Sequence, residues 1–195
     1  MTFPEYLYAR AAEGIAGFAE LDVDDIYALS LWCSYYEDDT RRPTLVADYN
    51  TDTQVERVVS QQGYAPEADE ARWNYAYWLQ SVPVEIGGSQ DPTRLELGHE
   101  WIKQAGLWYS DEQEESDFEA TLELGSAIAR RFATACIWAG QRLHGEGVIE
   151  KVFGRPIPVL VHELEYQPHH VDWALAGNPP ELVTEYVTWI ESLGS

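Results

Sequence analysis

Positive charge is what this sequence lacks most. Its 195 residues hold 12 Lys plus Arg against 34 Asp plus Glu, a formal net charge of −22. Binding nucleic acid requires cations that neutralise phosphates, and anionic membrane surfaces attract cations too, so neither is an expected partner. Long apolar runs are also missing: none approaches the ~20 residues that a membrane helix needs. The opening MTFPEYLYARAAEG carries acids early and no basic stretch ahead of an apolar one, which predicts no signal peptide and a cytoplasmic protein. Cysteine is scarce. Cys33 and Cys136 fall inside predicted elements and read as buried thiols, not as a disulfide framework. Internal repeats and low-complexity linkers are absent, so residues 1–195 read as one domain.

What is present is apolar and aromatic. Hydrophobic residues at 45% and Phe, Trp and Tyr at 13% exclude disorder and supply a sizeable core. Residues 26–36, IYALSLWCSYY, are the most strongly patterned apolar stretch. Tyr27, Leu29, Leu31, Cys33 and Tyr35 form an apolar set that alternates with a mixed one: Ile26, Ala28, Ser30, Trp32, Ser34 and Tyr36. That pattern fits a central strand covered on at least one side. Residues 37–42 make a polar turn too long for a two-residue hairpin, and Pro43 suits the beginning of a strand. Residues 44–49 return as a second strand. Thr51 or Asp52 then caps a helix over 53–62.

Stripes of period 3.6 predict helices over 4–20, 93–105, 110–143, 168–176 and 181–193. In the longest, Phe118, Leu122, Gly125, Ala129, Phe132, Cys136, Ala139 and Leu143 form a core seam. Residues 72–80 alternate Trp73, Tyr75, Tyr77 and Leu79 with Arg72, Asn74, Ala76 and Trp78, which favours a strand ended by Pro83. Residues 63–69 and 87–91 read as loops, 148–153 as a short strand or turn, and 159–166 as a strand. The fold class is α+β, a single domain with an antiparallel-rich sheet led by 26–36 and helices packed on it.

Three stretches resemble the small bacterial family called domain of unknown function 4303. They are YALSLW at 27–32, the hairpin end with Tyr49, Asn50 and Thr51, and EARWNYAYW with Arg72, Trp73 and Trp78. VLVHELEY at 159–166 adds weaker support, and the likeness covers roughly the first half of the chain. The resemblance implies a strand hairpin ending in Asn-Thr and then a Trp-containing segment. The family brings no established activity, so the resemblance implies no catalytic residue.

Three residue sets could carry function. Asp38, Asp39, Asp111, Glu112, Glu114 and Glu115 form acidic surfaces suited to a basic protein, which they would attract quickly and in a salt-sensitive way. The same acids also keep an aromatic-rich chain dissolved. Asn50, Arg72, Trp73 and Trp78 could hold a ligand by stacking Arg against Trp. Their preferred reading is structural, because aromatic stripes usually build cores. His162, Glu163, Glu165, His169, His170 and Asp172 are dense in metal-ligand types. In a strand His162 points opposite to Glu163 and Glu165, and no fixed-spacing motif occurs, so no metal is predicted.

No nucleophile elbow, phosphate loop or zinc framework appears, so no catalytic residue is assigned and no cofactor is expected. The preferred function is a non-enzymatic protein-binding domain, in its specific form an immunity-type antidote to a basic toxin. The alternative is an enzyme or small-ligand binder with a pocket near residues 72–78. The first calls for an exposed acidic face, the second for a cleft with converging polar groups.

Overall fold

The alternation at 26–36 becomes β1 (Ile26–Tyr35), a central strand. A computed structural model describes residues 1–63, 65–80, 84–86 and 91–194. β2 (Pro43–Thr51) and β3 (Val84–Ile86) extend the sheet antiparallel on one side, and β4 (Val159–His162) lies parallel to β1 on the other. The strand order is β3-β2-β1-β4. The fold is therefore α+β, and the sheet is mixed: antiparallel-rich, with one parallel pair. That pair arises because β4 is reached through a long helical crossover, not a hairpin.

Helices cover both faces. The apolar side of β1, with Leu29, Leu31 and Cys33, packs on α1 (Phe3–Ala16), α4 (Pro92–Gln104), α6 (Phe118–Gly145) and α7 (Val148–Phe153). The mixed side, with Tyr27 and Ala28, packs on α2 (Asp52–Val59), α3 (Ala68–Trp73), α8 (His169–Gly177) and α9 (Thr184–Ser192). Local signals set the ends. Thr2 and Glu5 close a capping box on α1, and Thr51 accepts the Gln54 amide at the start of α2.

Several expectations are corrected. The register shifts between Ile26 and Ala28, and this bulge moves Tyr27 off the apolar side and onto the mixed one. Residues 72–80 form no strand. α3 ends at Trp73, the Asn74 side chain accepts the Ala76 amide, and a 3-10 turn spans Tyr75–Tyr77. Trp73, Tyr75 and Trp78 are each anchored separately in the second core, so period two was an accident of a short run. Residues 148–153 form α7, flanked by Gly147 and Gly154 with φ of 69° and 66°. β4 stops at His162. The predicted helix over 110–143 is two: α5 (Asp111–Ser116) and α6, broken at Asp117, whose φ of −148° and ψ of 75° are non-helical. Pro83 and the loop at 87–90 lie outside the described residues.

Candidate functional site

The mixed face of the sheet carries buried polar groups. The Nδ1 of His162 lies 2.8 Å from the Glu163 carbonyl, which can only accept, so Nδ1 donates. Nε2 then holds a lone pair and accepts the Ser30 hydroxyl at 2.7 Å. Burial lowers the His162 pKa to about 4, keeping the ring neutral. Asp48 accepts the Tyr49 amide at 2.9 Å and the Tyr75 hydroxyl at 3.1 Å, and burial raises its pKa. Asn50 donates to the Tyr27 hydroxyl at 2.9 Å, and Tyr27 donates to the Arg72 carbonyl. Among the described residues the side-chain oxygen of Asn50, Oδ1, has no hydrogen-bond partner. Ser30 and His162 have the residue types of a catalytic dyad but not its access. They are 0% and 2% exposed, and the Tyr75 ring lies 4.9 Å from the imidazole.

Next to this layer lies an open groove of about 1010 Å³. Trp32, Tyr36, Thr44, Val46, Tyr75 and Leu164 line it, together with the carboxylates of Glu37 and Glu85. A smaller depression of about 340 Å³ shares Trp32, Ser34, Tyr35 and Leu164 and adds Asp38, Glu163 and Glu165. The two form one aromatic trough bordered by five acids. The hairpin turn presents two of these acids through an unusual backbone: Glu37 and Asp38 take left-handed φ of 55° and 58°. A guanidinium already sits at this border. Arg42 stacks 4.0 Å over the Tyr36 ring and pairs with Glu37 at 2.5 Å. Among the described residues Asp38, Glu85 and Glu165 have no cationic partner within salt-bridge distance.

The six acids of the predicted partner surface divide into two groups. Asp39, Asp111 and Glu114 surround Arg41 at 2.8, 2.7 and 3.5 Å. Arg41 also donates to the Tyr109 carbonyl at 3.2 Å and stacks 4.6 Å over that ring. This group clamps the hairpin turn to α5. Asp38, Glu112 and Glu115 are exposed.

The predicted ligand set does come together, around Tyr27. Arg72 lies 4.3 Å over the Tyr27 ring and bonds Asp52 at 2.6 Å. Trp73 meets Tyr27 edge-on at 5.6 Å, Trp78 donates to the Arg72 carbonyl at 2.9 Å, and Asn50 is fully buried. The groove is lined by their neighbours Tyr75, Ala76 and Gln80.

Glu163, His169 and His170 bring ligand atoms within 4.8 Å of one another. Both His170 ring nitrogens already meet the backbone. Nδ1 lies 2.8 Å from the Gln167 amide and 3.1 Å from its carbonyl, and Nε2 lies 3.3 Å from the Glu163 amide. One imidazole and one carboxylate remain uncommitted, fewer than the three protein ligands of zinc centres.

Sequence reasoning missed the groove itself. A faint signal was there: Leu164 stands between two glutamates and is 61% exposed. The hairpin-turn contribution was not readable, because it depends on strand register. Comparison with protein-family models, curated proteins and solved structures finds no match to this chain.

Proposed function

We propose that the protein is a non-catalytic binding domain whose groove receives a cationic segment of a basic partner protein. The observation that carries this reading is an aromatic floor of Trp32, Tyr36 and Tyr75 beside Asp38, Glu85 and Glu165, which among the described residues meet no cation at salt-bridge distance. Cation–π contact contributes about 0.5–1 kcal/mol at exposed sites and more when desolvated. Arg42, on Tyr36 and Glu37, already has the geometry that an incoming Arg would take. The net charge of −22 would steer such a partner towards the surface. In its specific form the partner is a basic toxin and the domain its immunity-type antidote. The likeness to domain of unknown function 4303 belongs to this proposal and adds no activity to it. The sealed position of the Ser30–His162 pair and of the Asp48 carboxylate favours binding over catalysis, since a reaction needs its groups within reach of substrate.

A fluorescent oligoarginine peptide tests the groove. Trp32→Ala and the pair Glu85→Gln with Glu165→Gln should each weaken binding by about fivefold or more at low salt, since stacking and charge both contribute. The thermal midpoint of the charge pair should not move. Equal affinity of wild type and both variants would overturn the groove reading.

A further inference from the structure

The hydrophobic line of α6 continues past the end of the core. Phe118, Gly125 and Phe132 stand seven residues apart and share one face of the helix. Phe132 is buried against Phe3 and Tyr35. Gly125 lies under the hairpin turn, where a Cβ would stand 3.0 Å from the Thr40 hydroxyl oxygen. Beyond that point nothing covers the line among the described residues: Phe118 is 63% and Leu122 58% exposed. One turn apart, their side chains are neighbours.

The helix under this pair is well fixed. Asp117 accepts the Ala120 amide at 3.2 Å, and the Thr121 hydroxyl bonds the Asp117 and Phe118 carbonyls. The Phe–Leu pair is therefore presented on a capped, hydrogen-bonded turn. Its surroundings have one sign: between positions 111 and 123 the chain has seven acids and no Lys or Arg. Of these, Asp111 and Glu114 reach Arg41, leaving the others without a salt bridge among the described residues.

We propose that this corner of α5 and α6 docks an amphipathic segment of a basic protein. Its apolar side chains would cover Phe118 and Leu122, and flanking Lys or Arg would meet the ring of acids. Charge complementarity selects this occupant. A second copy of the chain would set the same acids against each other, and an anionic lipid surface would be repelled. The patch is distinct from the groove. The hairpin turn, which gives Glu37 to the groove and Thr40 to α6, stands between them.

The probe is a short synthetic Leu/Lys peptide with its leucines on one helical face, compared with a scrambled peptide of equal charge. Wild type should bind the amphipathic peptide about tenfold tighter, the scale of one buried apolar anchor. Phe118→Ser with Leu122→Ser should bring it to the scrambled level with an unchanged thermal midpoint, because both side chains are exposed. Trp32→Ala should leave the preference intact, which separates failure here from failure of the groove. An unchanged preference in the Phe118/Leu122 double variant, or no preference in wild type, would overturn the proposal. So would sedimentation of wild type as a dimer that the double variant abolishes, since the patch would then cover itself.

Discussion

His162 shows how one side chain can tie the mixed face together and set a pH dependence. Its neutral ring needs the Ser30 hydroxyl and the Glu163 carbonyl, and burial lowers its pKa to about 4 from 6.5. The unfolded chain binds a proton below about pH 6.5 that the folded chain refuses, so this contribution is complete above 6.5 and lost as pH falls towards 4. At pH 5 the loss is at most about 2 kcal/mol. His170, lowered to about 4 by burial and by His169, acts in the same direction. Asp48 acts oppositely, since its raised pKa favours the fold when protonated. The two histidines outweigh it, and denaturation midpoints should fall between pH 7 and pH 5. His162→Asn should lower the midpoint at pH 7 and flatten its slope with pH. A slope equal to that of wild type would remove His162 from this role. None of this was readable from the sequence, where His162 stood beside acids and other histidines and suggested only a metal cluster that its spacing argued against.

At the scale of elements, α6 is the strongest test of what periodicity can predict. Phe132 is fully buried, stacked 6.3 Å from Phe3 and edge-on to Tyr35 at 6.0 Å. Phe132→Asp would bury a charge without a partner and should cost several kcal/mol, on the order of 3–5. A thermal midpoint unchanged by this substitution would place the seam outside the core. Period 3.6 found this seam from Gly125 to Leu143 because α6 is continuous there and one side meets the sheet. It failed at Phe118 and Leu122. A 28-residue helix is ~42 Å long, and periodicity says which side is apolar, not where the neighbouring body ends. The hairpin was legible for a similar reason, since strict alternation survives in β1 and β2 apart from one bulge. Residues 72–80 were not, because aromatic side chains in a 3-10 turn are placed by their separate partners, not by a repeat. The parallel pairing of β4 could not be read at all, since register between distant segments leaves no local pattern.

For the whole molecule the excess of acid matters most, and the fold divides it into two kinds. Asp39, Asp111 and Glu114 serve Arg41 and hold the hairpin turn on α5, whereas Asp38, Glu112 and Glu115 face water. The sequence showed six equivalent acids; only the folded chain shows which are already neutralised. Neutralising both groups separately should therefore give opposite results. Asp38→Asn, Glu112→Gln and Glu115→Gln together should leave stability unchanged or raise it, because exposed like charges repel at this net charge. Their association with the oligoarginine peptide should slow by about threefold at low salt and show a flatter salt dependence, with dissociation little changed, as expected for long-range steering. Asp39→Asn, Asp111→Asn and Glu114→Gln together should instead lower the thermal midpoint, since Arg41 is nearly buried and would lose all its carboxylates, a loss of roughly 1–3 kcal/mol for an under-satisfied charged donor. Stopped-flow association at two salt concentrations, beside thermal melts of both variants, reads the contrast directly. If the exposed triple variant associated as fast as wild type at low salt, steering by this face would be ruled out. If the Arg41 triple variant melted with wild type, the clamp would be a surface ornament of the hairpin and not part of what holds its turn against α5.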